Sequence, residues 1–356
     1  MTSVGSSPTR ADVRPEWLAA TREEPLEPDI PVVDSHHHLY DRPGSRYLLD
    51  DFLADTSGGH HVRASVIVQA RAMLRADAPP ALQPLGETEF ANGVAAMSAS
   101  GIYGQARIGA AIVGQADLLL GDEVRPILER HVLLAGGSIA EGGRFRGIRH
   151  IVAWDRDSSF VNPVYPATES TMDSTAFREG FAHLGRLGLS FDAWLFFHQI
   201  PRLTVLARAF PETRIVLNHC GGILRIGTYA GRSDGVFALW SSALRELAEC
   251  ANVMVKLSGL GMRLSGFGFE AGRQAPASSE LAAAWRPWME TCIDAFGPAR
   301  CMWGSNFPVD KGSYGYTVGL NAIKRVLAGA SEGEKEDILW RSAQRFYRIR
   351  AQGLAI

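Results

Sequence analysis

Three consecutive histidines, His36, His37 and His38, follow Asp34 and Ser35 at the end of a short apolar run, Ile30-Pro31-Val32-Val33. A β-branched run that stops abruptly in polar residues reads as a buried strand with functional groups at its C-terminal end. On an extended backbone, side chains two apart project to the same side, so His36 and His38 can reach one cation while His37 points away. Neutral imidazole is the commonest metal ligand. The pair therefore predicts a divalent metal, zinc before manganese or iron. A purification tag would not sit some thirty residues in, fused to an apolar strand.

Other chemically able residues recur at the ends of apolar runs: Gln69 and Arg71, Arg149 and His150, Asp192 followed by His198 and Gln199, Asn218-His219, Lys256 and Ser258, and Ser305-Asn306. Something must gather them. Strand-like runs fall at 30–35, 64–69, 106–113, 145–152, 189–196, 214–218, 253–257 and 300–305. Amphipathic segments lie between and after them, at 86–100, 115–132, 174–187, 201–210, 235–250, 279–296, 316–328 and 332–347. Eight alternating units predict an α/β fold, a (β/α)8 TIM barrel, whose chemistry belongs on the strand C-terminal ends. An open doubly wound sheet would need a glycine-rich phosphate turn after an early strand, and the first strand ends in histidines instead. Long connections at 71–86, 154–172 and 259–278 would overlie the catalytic face. Residues 1–28, rich in Ser, Pro, Arg and Glu, read as a flexible or surface-wrapping arm, and 29–356 as the barrel.

Composition narrows the partners. The 356 residues are 46% hydrophobic with a formal net charge of −2, which supports a large core and gives no bias toward nucleic acid or anionic membrane. A small-molecule substrate is expected; a homo-oligomer is compatible with this composition. Arg71, Arg149, Arg225, Tyr229 and Lys256 favour an anionic one. Cys220, Cys250, Cys292 and Cys301 form no C-x-x-C pair and read as reduced thiols. No signal core or transmembrane-length run is present, so the expected location is cytoplasmic.

Taken in order, Asp34-Ser35-His36-His37-His38, Gly147-Ile148-Arg149-His150, Asn218-His219-Cys220-Gly221-Gly222, Val255-Lys256-Leu257-Ser258-Gly259 and Gly304-Ser305-Asn306-Phe307-Pro308-Val309 resemble the amidohydrolase superfamily. The likeness is to its branch of metal-dependent barrel hydrolases, which includes sugar-acid and pyrone-dicarboxylate lactonases. The resemblance implies metal ligands at His36, His38 and His219, with His198 near the position of a strand-five histidine. It implies substrate contacts from Arg149 and Lys256, to which Arg71 is added. The strand-eight aspartate of much of the superfamily is here Asn306, a neutral amide that cannot accept a proton. The base then falls to His219 or His150, with Asn306 positioning water. Some lactonases of this branch work without metal, so metal-independent activity stays open.

Three functions follow. The first is lactone ring opening by a metal-activated water. The second is an iron or iron–manganese oxygenase in which Glu87 or Glu89 adds a carboxylate ligand. The third is a non-catalytic barrel subunit.

Overall fold

The computed structural model describes residues 10–350. Eight strands form one parallel sheet in chain order: β1 (Val32–His37), β2 (Val62–Val68), β3 (Arg107–Gly114), β4 (Phe145–Ile148), β5 (Ser190–Ala193), β6 (Ile215–Leu217), β7 (Val253–Leu257) and β8 (Cys301–Trp303). The sheet closes where the ends of β1 and β8 meet. Asn306 N donates to His36 O at 2.7 Å and His38 N to Phe307 O at 2.8 Å. Asp34 pins this seam, its Oδ1 accepting from Ser305 N and its Oδ2 from the Tyr316 hydroxyl. The expected (β/α)8 barrel is the fold.

The strands read as nearly continuous apolar runs because a parallel barrel buries both faces. Inward residues, mostly small, including Val33, Ala64, Val66, Ala111 and Val216 with the longer Met302, fill the interior. The same cluster takes in Trp340, Ala343, Phe346 and Tyr347 of the last helical segment, which plugs the barrel below the strands. A second, larger cluster lies between the strands and the outer helices. Those helices are α1 (Leu49–Thr56), α2 (Leu85–Ala99), α3 (Arg125–Leu134), α4 (Thr175–Arg186), α5 (Ile200–Ala209), α6 (Ser233–Ala248), α7 (Ser278–Phe296) and α8 (Tyr316–Val326). Among the described residues, no helix is long and apolar enough to cross a membrane.

Three differences from the sequence reading have local causes. The helix expected over 115–132 is broken: Leu118–Val124 is a 3-10 segment with Gly121 at φ 57°, and α3 restarts with Pro126 in its first turn, where proline's missing N–H costs nothing. The fourth strand stops at Ile148 rather than 152, so Arg149 stands directly at the strand end. A small hairpin, Tyr40–Arg42 with Ser45–Tyr47, and α1 form in a stretch whose sequence shows no strand or helix periodicity.

Of the expected arm, residues 1–9 lie outside the described residues. From Arg10 onward it is tied to the barrel. Trp17 Nε1 and Thr21 Oγ1 donate to the carbonyls of Gly272 and Ala275. Glu23 accepts from Ser278 N and Asn321, and Lys324 Nζ donates to Leu26 O and Glu27 O.

Candidate active site

At the strand C-terminal end lies a cavity of ≈ 330 Å³ whose lining includes His38, Arg149, Trp194, His219 and Asn306. Beneath this floor His36 is wholly buried. Its ring centroid is 4.9 Å from that of His38 and 4.4 Å from that of His219. The expected gathering of His36, His38, His219, Arg149, Lys256 and Asn306 is therefore observed. His37 faces the other way, stacking on Phe52 of α1 and meeting Ser65 Oγ at 2.8 Å.

Each side chain is held by partners from distant strands. Lys256 Nζ, fully buried, donates to Ser35 O at 2.8 Å and to Asp192 Oδ2 at 2.7 Å, and approaches His36 Nδ1 at 3.2 Å. Asp192 Oδ2 also accepts from the Tyr347 hydroxyl at 2.8 Å. Arg149 donates to Gln69 O and stands 3.3 Å from His36 Nε2, while its Nε is buried without a partner. His38 Nδ1 lies 2.8 Å from Val68 O. A carbonyl can only accept, so Nδ1 carries the proton and the Nε2 lone pair faces the cavity. There it meets Asn306 Oδ1 at 3.3 Å; Asn306 Nδ2 is held by Asp310 Oδ1 at 2.8 Å. His219 Nδ1 meets Ser258 Oγ at 2.9 Å, and the ring packs against Trp194.

Burial decides the charges. His36 is held well below the usual imidazole range by desolvation and then by Lys256. His38 and His219 are held low by desolvation and then by Arg149. All three rings are neutral near pH 7. Desolvation pushes the Asp310 carboxyl up to about 7 and lowers Lys256.

Several expected site residues lie elsewhere. His198 bonds Asp155 Oδ2 at 2.9 Å and stacks on Tyr229, away from the histidine cluster. His150 accepts from Leu118 N and lines a neighbouring cavity of ≈ 450 Å³. Arg71 borders that second cavity, reaching Val164 O and the Tyr165 ring. Glu87 accepts the backbone N–H groups of Ala70, Arg71 and Ala72, and Glu89 pairs with Arg75 on the surface, so neither is set to hold a metal at the cavity. Residues missed by sequence reasoning are Tyr347, Asp310, Arg10 and Arg42. Only their neighbours in the fold reveal them, since each acts across long chain separations or from an irregular segment.

A metal on His36, His38, His198 and His219 needs converging lone pairs. Both nitrogens of His36 instead face cations, Lys256 and Arg149, and His198 is engaged by Asp155. Among the described residues no group of three or more His, Cys, Asp or Glu is placed to hold a metal ion. The four-histidine centre does not fit this geometry: the positive charge near His36 comes from side chains.

The chain can now be set beside known proteins. A family model described as Amidohydrolase matches residues 33–349. An uncharacterised protein of Sinorhizobium fredii is 32% identical over 345 residues, covering 90% of this chain and 99% of that one. An L-fucono-1,5-lactonase of Burkholderia multivorans is 26% identical over 321 residues, 86% of this chain and 92% of that one. An amidohydrolase from Burkholderia multivorans, crystallised with bound zinc, superposes with a TM-score of 0.68 at 25% identity, covering 90% of this chain and 99% of that one. With its barrel and its ordered polar strand ends, this chain belongs to the amidohydrolase family and is an enzyme of its hydrolase type.

Proposed function

We propose that this enzyme opens a small lactone by hydrolysis, using buried cations rather than a resident metal to stabilise the developing oxyanion. The observation that carries the reading is the paired acceptors of the floor, the His38 Nε2 lone pair and Asn306 Oδ1, 3.3 Å apart. A water seated over them can donate one proton to each and turn its own lone pair toward the cavity. His38 takes the water's proton as it attacks the lactone carbonyl, acting as general base. Asn306 only positions, since an amide oxygen accepts a hydrogen bond without taking a proton. Arg149, a guanidinium in the cavity lining, faces the growing negative charge on the carbonyl oxygen, which a preorganised donor in a dry site stabilises strongly. The ring C–O bond then breaks. The leaving alkoxide takes its proton from the His38 imidazolium, while His219, its Nδ1 accepting from Ser258, donates a hydrogen bond from Nε2 to the departing oxygen. Water has been added across the ester, and His38 is neutral again.

The L-fucono-1,5-lactonase relative supports a lactone as the substrate type. The test is turnover on a panel of aldonolactones and carboxylated lactones before and after dialysis against a strong chelator, with elemental analysis of both samples. Expected is hydrolysis that survives chelation and falls at least about a hundredfold in His38→Ala and Arg149→Ala, the size of effect expected for a lost base or oxyanion donor. Abolition by chelation, with recovery on adding zinc, would overturn the metal-free mechanism; no turnover of any lactone would overturn the function.

A further inference from the structure

We propose that Arg10 and Arg42 form, with Arg149, an anion clamp across the cavity, so that the lactone carries a carboxylate outside the ring that is opened. The inference rests on the lactonase reading for its chemistry and on the cavity lining for its charge. Among the described residues, three guanidiniums border this cavity and no aspartate or glutamate does. Arg149 is at the floor, only 6% exposed, and its buried Nε has no hydrogen-bond partner among the described residues.

The other two come from segments outside the barrel repeat. Arg42 is on the small hairpin after β1, donating to Ala70 O and lying 4.7 Å over the Tyr40 ring. Arg10 comes from the N-terminal arm and donates to the Tyr40 hydroxyl and to Ser45 Oγ, both at 2.8 Å. These partners are neutral, so they orient the guanidinium without cancelling its charge. The arm reaches this spot because Gly312 lets it approach closely: a Cβ there would come within 2.4 Å of Ala11 O. The nearby carboxylate, Glu87, stays outside the cavity lining with its oxygens on three backbone N–H groups; its charge acts on Arg149 and Arg42 from behind the wall, and burial pushes it up to about 7.

The cavity's size limits what the charge can meet. At ≈ 330 Å³ it is near the small end of ligand sites, about 300–1,000 Å³. One ring with a short anionic arm fits that volume. A carboxylate matches the forked guanidinium in bidentate fashion. With the scissile carbonyl at Arg149, the second anionic group points toward Arg10 and Arg42.

Calorimetry with glutarate and with its uncharged analogue glutaramide tests the clamp without any turnover. Wild type should bind glutarate, and Arg10→Ala and Arg42→Ala should each weaken that binding about 10- to 100-fold, as for loss of a charge-assisted contact. Arg10→Lys should retain part of it, and Arg46→Ala, a hairpin charge outside the cavity lining, should leave it unchanged. Glutaramide should bind weakly and equally in all. A second arm compares hydrolysis of a carboxylated γ-lactone and its methyl ester: Arg10→Ala should raise KM for the acid alone. No glutarate binding by folded wild type, or equal losses for the charged and uncharged probes, overturns the clamp. Glutarate binding lost in Arg10→Ala, beside an enzyme that turns over no lactone, would support the clamp while overturning the function.

Discussion

Lys256 has three protons and three partners, Ser35 O, Asp192 and His36 Nδ1, all in the barrel interior. Breaking a buried ion pair by removing one member costs about 3–5 kcal/mol, because the other charge is left uncompensated. Lys256→Met should lose stability on that scale in urea unfolding. Adding Asp192→Leu should recover most of it, since well-packed apolar residues can replace a buried pair. Turnover should not recover with the fold, because His36 would have lost the donor that fixes its Nδ1. Hydrolysis restored in the double variant would show that Lys256 serves stability alone. The sequence reveals the histidines, the arginine and the lysine by type and strand position. Their working states are illegible there: whether His36 meets a metal or a lysine depends on residues more than two hundred positions apart.

At the scale of elements, the turn after β6 aims the site. His219 and Cys220 hold φ of 57° and 50°, uncommon for non-glycine residues, and Gly222 packs where a Cβ would lie 1.9 Å from Leu195 O. Gly259 backs His219 from the end of β7, and a Cβ there would sit 2.5 Å from the His219 Cβ and Cγ. Gly259→Ala should push that ring out of place, cutting kcat by roughly a hundredfold, the penalty of about 1 Å of misplacement. A variant with normal kcat would show the ring is not needed where it stands. The glycines are visible in the sequence, but not which ring each one admits. The same holds for α3, where His131 is buried between Thr88 and the Gln115 carbonyl. Burial lowers it from 6.5 to about 4, so the fold accepts only its neutral form. Its contribution is fully present above pH 6.5 and is lost as pH falls toward 4. Comparing wild type with His131→Gln in urea, the wild-type advantage should shrink by about 2 kcal/mol between pH 8 and pH 5. A pH-independent difference would mean that His131 already titrates normally.

At the scale of the whole molecule, strand alternation made the eight-unit barrel legible, because each parallel strand must be apolar on both faces. The arm's path and the plug beneath the barrel were not, since wrapping contacts have no periodicity to read. Nor does periodicity reveal that the seam and the site coincide. Asp34 and Ser305 are 271 residues apart, and His38 and Asn306 are 268 apart. Joining ends so distant makes closure a slow, non-local step whose loop entropy is spent before its contacts form. The cavity floor therefore exists only while the seam is shut. A ligand touching both His38 and Asn306 spans that joint and favours the shut state by mass action. At a hundredfold excess over its Kd it should add about 2.7 kcal/mol, and limited proteolysis in the fast-reclosing regime should slow about a hundredfold. Substrate supply would then govern how long each molecule survives as well as how fast it turns over.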